Sequence, residues 1–372
     1  MDSSPTNHRI PFLDWLRGLA AFTMLQGHTF DSFLRPESRK GAVFVFSQFF
    51  GGQAPAVFLF LTGVTYALGM NRREQLPPWQ RVTGALKRAR YLFLLAILFR
   101  LQTWAFAWPR SQWTDLLRVD ILNNMGATAA LLAVVALWGG IQRVRIAAGV
   151  GIALAVLAPL VSGLDTHTIP LAIRSYFVPS YDFFSVLPWG AFLAFGVAAG
   201  SMIPMVESYQ WSRVMQWAAL VGFGLVLGGQ YFSNLPFSLY PQSEFWLNSP
   251  ALIACKLGVT LLLASAGFLW TGYLSTGWSW VRQLGTTSLA VYWVHIELVY
   301  GRWFFAYKER LSVWQCLLAG GVLAVAMIGL SILITRAPWR KRPVPPASGL
   351  RVETEKLEPA STYRSLTVSG RR

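Results

Sequence analysis

Ten apolar runs, each near the thickness of a bilayer core, leave this chain few folds. A hydrocarbon layer about 30 Å thick needs about 20 mostly apolar residues per helix. The runs fall at roughly 12–30, 43–69, 91–107, 121–138, 146–162, 185–203, 214–232, 251–271, 283–305 and 312–335. Helices and closed barrels alone satisfy every backbone polar group in lipid, and runs this long predict helices. The expected fold is an all-α integral membrane protein, a polytopic bundle of about ten transmembrane helices over residues 1–336. Of 372 residues, 54% are hydrophobic and 13% charged, a balance foreign to an ordinary soluble domain. The 17 Trp and 12 Tyr suit interfacial belts as well as interiors.

The net charge of +16 raises nucleic acid as a partner, but its distribution argues against that. Most of the positive charge sits between the apolar runs and at the C-terminus. That is the pattern of the positive-inside rule. With the N-terminus in the cytoplasm, the inner segments hold Arg72, Arg73, Arg81, Lys87, Arg88 and Arg90, then Arg143 and Arg145, Arg213 and Arg282. The segment from 337 to 372 reads as a basic, polar, disordered cytoplasmic tail. Both termini are expected in the cytoplasm, and the protein in a bacterial inner membrane. The first run carries charges and lacks signal-peptide order, so it is expected to be a retained span. Cys255 and Cys316 lie inside apolar runs, which argues against a disulfide. Two Cys and four scattered His show no zinc spacing, so no metal is expected. Walker, GxSxG and HExxH motifs are absent from the sequence, which counts against ATPases, serine hydrolases and zinc proteases.

The first run carries Asp14, Arg17 and His28. Charges inside a span are costly and are functional candidates by default. At 100° and about 1.5 Å per residue, the step from Arg17 to His28 turns the helix back to within about 20° and advances it about 16 Å. Asp14, Arg17, Gly18, Ala21, Leu25 and His28 therefore share one stripe, with Asp14 and Arg17 paired at i,i+3. The stripe predicts an ion pair at one end of a cavity and an imidazole near the other. A structural role competes: a packing ion pair and a hydrogen-bonded interface histidine. In the ninth run, Ser288, Tyr292 and His295 share a face at i, i+4, i+7; a polar seam between helices is the plainer reading. Asp120 with Asn123 and Asn124 reads either as a cavity mouth or as a helix cap. Arg100 and Lys256 read either as cations for an anionic cofactor or as snorkelling side chains.

The Arg17-to-His28 spacing resembles the motif of membrane acyltransferases, the acyltransferase-3 family and the heparan-α-glucosaminide N-acetyltransferase group. Ala56-Val57-Phe58-Leu59-Phe60-Leu61-Thr62-Gly63 is similar to the second-span signature, with Thr62 where Ser is common. Leu117 through Gly126 resembles the opening of the fourth span, and Ser288 through His295 resembles the late span ending Tyr-x2-His. The resemblance covers most of residues 9–335. It implies transfer of an acyl group, acetyl above all, from a cytoplasmic acyl-CoA to a hydroxyl or amine of a sugar or lipid-linked acceptor in the cell envelope.

In that frame His28 is the general base, or the site of an acyl-His intermediate. Asp14 and Arg17 fix the motif helix, and His295 is a second catalytic candidate. Acyl-CoA would meet Arg17, Arg100, Lys256 and Arg88 with the basic segment 72–90. The acceptor would meet Asp120, Asn123, Tyr292 and Ser288. The competing class is a non-enzymatic carrier of lipid-linked or anionic small molecules, which intramembrane charges also suit; the lack of a clear inverted repeat weighs against it.

Overall fold

The computed structural model describes residues 10–109, 111–166, 168–274 and 277–336. The tail 337–372 lies outside the described residues. Among those described, the chain is helical and has no strands. The helices are α1 (Pro11–Phe33), α2 (Ala42–Gly51), α3 (Ala54–Asn71), α4 (Pro78–Ala107), α5 (Ile121–Leu131), α6 (Gly140–Ser162), α7 (Leu171–Phe177), α8 (Val186–Met202), α9 (Trp211–Ser233), α10 (Pro250–Leu269), α11 (Trp280–Thr286), α12 (Ser288–Tyr300) and α13 (Val313–Arg336).

All ten predicted runs are mainly helical. Six helical segments among the described residues are long and apolar enough to cross a membrane: Ala42–Asn71, Trp113–Leu137, Gly140–Ser162, Val186–Met205, Pro250–Leu274 and Val313–Arg336. Four of the ten expected spans, α1, α4, α9 and the run divided between α11 and α12, are not among them; α1 carries Asp14 and Arg17, and the first half of α4 is basic. The segment 72–90 is not all loop, because α4 begins at Pro78, where a proline costs no helical hydrogen bond.

Two predicted spans are broken, and each break is satisfied by side chains. Between α2 and α3, the Gln53 amide donates to the Lys256 carbonyl at 2.8 Å and to Thr260 Oγ1 at 3.0 Å. Lys256 Nζ donates back to the Gly52 carbonyl at 2.5 Å. Between α11 and α12, Ser331 Oγ donates to the Gln283 carbonyl at 2.7 Å and accepts from Thr287 Oγ1 at 2.6 Å. In lipid a broken helix survives only where such groups take up the freed backbone polarity.

Backbone-to-backbone crossings set the bundle. A Cβ on Gly18 would stand 1.7 Å from the Val281 carbonyl oxygen, and one on Gly285 1.7 Å from the Asp14 carbonyl oxygen. Thus α1 and α11 touch along glycines, the small-residue contact that drives helix association without a hydrophobic effect. Gly63, the last residue of the second-span signature, does the same for α3 against α8, 2.0 Å from the Leu193 oxygen. A large apolar core links α1, α3, α4, α5, α6, α8 and α10, and a smaller one joins α1 to α11, α12 and α13.

Candidate functional site

Helices α1 and α12 carry one histidine each, and the fold puts the two rings together. His28 Nδ1 lies 3.1 Å from His295 Nε2, and the two rings meet edge to edge with centroids 5.4 Å apart and planes 12° from parallel. His295 is wholly buried and its Nδ1 sits 2.7 Å from the Val291 carbonyl of its own helix. The helices are pinned beside the pair by Ser32 Oγ, which donates to the Val299 carbonyl at 2.8 Å. The Tyr300 ring stands edge-on to His28 at 5.3 Å, and its hydroxyl donates to Asp31 at 2.8 Å. Tyr292 packs on the other side of His295 at 5.9 Å. Sequence reasoning named His28, His295 and Tyr292. It missed Asp31 and Tyr300, although Asp31 lies one turn beyond His28 on the same helix.

Asp14 and Arg17 form the expected i,i+3 pair at 3.0 Å. The stripe between that pair and His28 does not line an open cavity. Gly18 is pressed on the Val281 backbone, and Ala21 and Leu25 pack with Leu284, Val291, Ala324 and Met327. The predicted cavity wall is a packing seam, because its small and apolar residues fit α11, α12 and α13.

A second polar group lies beside the histidines. Tyr292 packs on Phe99 at 5.3 Å, and Trp293 Nε1 donates to Gln102 at 2.6 Å. These contacts bring α4 against α12 next to Arg100. Arg100 Nε lies 3.3 Å from Asp120 Oδ2, with side chains 22% and 10% exposed. Asp120 also caps α5. Its Oδ1 accepts from the Leu122 and Asn123 amides at 2.9 and 3.0 Å, while Asn123 Oδ1 accepts from the Asp120 amide at 3.4 Å. The capping and charged readings of Asp120 are therefore both realised, one on each oxygen. Neither Asp120 Oδ2 nor Arg100 Nε makes a hydrogen bond. Asn123 reaches Tyr176 at 3.3 Å, a contact hidden from sequence because Tyr176 lies on the distant short helix α7. Asn124 holds the Phe184 and Ser185 carbonyls at 2.9 and 2.6 Å, which fixes the entry to α8. Ser288 opens α12, two turns before His295.

The cations grouped from sequence separate into two sets. Lys256 faces the α2–α3 break and lies 5.8 Å from the Trp189 ring. That break is level with the upper half of α1, where a Cβ on Gly27 would stand 2.9 Å from the Gly51 Cα. Lys256 and Arg100 therefore stand at the histidine end. Arg88 stands toward the far end of α3, beside Tyr66 and Met70, about 20–25 Å from Gln53 along the helix. There it lines a cavity of about 150 Å³ with Tyr66, Met70, Arg73 and Arg81. No carboxylate lines this cavity. Glu74, the acid nearby in sequence, accepts from the Gly140 amide at 3.0 Å and faces Arg143 at 3.8 Å. Arg81 Nε is shielded from solvent and has no hydrogen-bond partner. Guanidinium groups suit phosphate oxygens, which they can bind in pairs. Among the described residues no group of three or more His, Cys, Asp or Glu is arranged to hold a metal ion.

An all-helical bundle with several apolar helices of membrane length is that of an integral membrane protein. The family model for heparan-alpha-glucosaminide N-acetyltransferase, catalytic, matches residues 9–240. That is more than half of the chain, and the chain belongs to this family. No curated protein sequence matches it. The matched region contains Asp14, Arg17, His28, Arg88, Arg100, Asp120 and Asn123. Lys256, Ser288, Tyr292 and His295 lie beyond it; the fold brings His295 to His28 and Tyr292 to Phe99.

Proposed function

We propose that this protein moves an acetyl group from acetyl-CoA to a hydroxyl or amine of a sugar-type or lipid-linked acceptor. The observation that carries this reading is the His28–His295 pair inside a bundle of this family. A neutral imidazole within reach of an alcohol or amine proton is a suitable base near pH 7. His28 is that base. Its Nε2 makes no hydrogen bond to the described residues, nor is it among the sealed, unpartnered atoms.

Members of this family generally use acetyl-CoA as donor. The arginine cavity supports a phosphate end for such a donor at the end of the bundle opposite the histidines. The extended arm of the coenzyme would then run inward toward His28. The acceptor would lie against Tyr292, Asn123 and the half-satisfied Arg100–Asp120 pair. Those groups offer stacking, donor and acceptor functions to a polar ring. Asp14 and Arg17 hold the motif helix on α11. The charge bias of the loops supports ten crossings with both termini and the arginine cavity in the cytoplasm, in a bacterial inner membrane.

The test is ligand stabilisation of the purified full-length protein. Acetyl-CoA at 100 times its Kd should stabilise the wild type by about 2.7 kcal/mol. The triple variant Arg73→Gln, Arg81→Gln, Arg88→Gln should lose most of that. Undiminished stabilisation of the triple variant would remove the cavity from this reading. No stabilisation of the wild type would remove acetyl-CoA as the donor.

A further inference from the structure

We propose that His295 is a positioning residue that holds His28 in its Nδ1–H tautomer and so turns the Nε2 lone pair of His28 toward the substrate. The inference rests on the reading of His28 as the base. Its starting point is the direction of two hydrogen bonds. A backbone carbonyl only accepts, so His295 Nδ1, 2.7 Å from the Val291 oxygen, carries its proton there. A neutral imidazole has one N–H and one lone pair. The lone pair of His295 is then on Nε2, which faces His28 Nδ1 at 3.1 Å. His28 Nδ1 must donate, and the second lone pair of the couple falls on His28 Nε2.

The opposite direction requires a cationic His295 with both nitrogens protonated. That ring is fully buried, and no salt bridge among the described residues reaches either imidazole. A buried unpaired charge is expensive. The arrangement fixes orientation and tautomer together, as the third member of a nucleophile–base–orienter set does.

The proton balance follows from this geometry. The acceptor oxygen or nitrogen forms a bond to the thioester carbonyl carbon and gives its proton to His28 Nε2. The carbon–sulfur bond breaks, and the leaving sulfur takes that proton from Nε2. Throughout, His28 Nδ1–H donates to His295 Nε2, which supports the transient imidazolium.

The experiment is 15N NMR of histidine-labelled full-length protein without substrates, with His28 assigned by its loss in His28→Gln. Wild-type His28 should show a protonated Nδ1 and an unprotonated Nε2. His295→Gln keeps an acceptor oxygen in reach and should keep that signature and most of the turnover. His295→Leu removes the acceptor. Its His28 should shift to the Nε2–H form, with turnover down about 10²-fold or more, as for loss of a general base, and KM for acetyl-CoA unchanged. An Nε2–H signature in the wild type, or an unchanged His28 signature in His295→Leu, would overturn the proposal. Equal losses in the Gln and Leu variants would do the same, since they would mark a packing role. The NMR readout needs no reaction, so a locked tautomer with full turnover in His28→Ala would instead defeat the assignment of the base.

Discussion

Replacing Arg100 with leucine should destabilise the bundle by leaving the Asp120 carboxylate half satisfied. Asp120 Oδ1 is held by two backbone amides, but Oδ2 has only Arg100, at 3.3 Å. The Asp120 side chain is 10% exposed and that of Arg100 22%, so solvent screens the pair weakly. Breaking a buried pair costs about 3–5 kcal/mol. The long contact and the exposure of Arg100 put this case at the low end, about 3 kcal/mol. The cost belongs to the charge of Asp120 and not to its capping role. Asparagine caps a helix as well as aspartate does, so Asp120→Asn in the Arg100→Leu background should recover most of the loss. The assay is unfolding of purified protein in mixed detergent micelles, followed by tryptophan fluorescence, for the wild type, both single variants and the double. Wild-type stability in Arg100→Leu, or a double variant no better than Arg100→Leu, would refute the reasoning.

Two further outcomes follow from the packing. Gly18→Leu places side-chain atoms into the Val281 carbonyl, where even a Cβ would be 1.7 Å away. It should cost at least the 1–3 kcal/mol typical of overpacking and disturb the His28–His295 contact, read as lower folded yield and lower turnover. Lys256→Met removes the donor to the Gly52 carbonyl. It should cost about 1–3 kcal/mol for the orphaned oxygen while leaving acetyl-CoA affinity unchanged; a large fall in that affinity would return Lys256 to the phosphate site.

Local signals in the sequence located the helices and the polar residues of α1, because each depends only on near neighbours. Apolar run length placed the helical segments, and i,i+3 spacing placed the Asp14–Arg17 pair. Breaks inside the second and ninth runs were illegible, because they are stabilised from far away. Lys256 on α10 holds one and Ser331 on α13 the other. The same reason explains the cations. Lys256 and Arg100 looked like parts of one phosphate site because each is a lone charge in an apolar run. Their partners, the Gly52 carbonyl and Asp120, come from other helices. The two histidines were each visible, but their contact spans 267 residues. The motif stripe misled for a different reason: small residues at helical spacing mark a close crossing as readily as a cavity.

The central claim is that His28 takes the proton of the acceptor. The direct measurement is acetyl transfer from labelled acetyl-CoA by wild-type and His28→Ala protein in reconstituted membranes. A glucosamine-type amine serves as acceptor, and folded protein is quantified in each sample. The account predicts a fall of about 10²–10⁴-fold in turnover per folded molecule, with stabilisation by acetyl-CoA retained. Near-normal turnover in well-folded His28→Ala protein would contradict it.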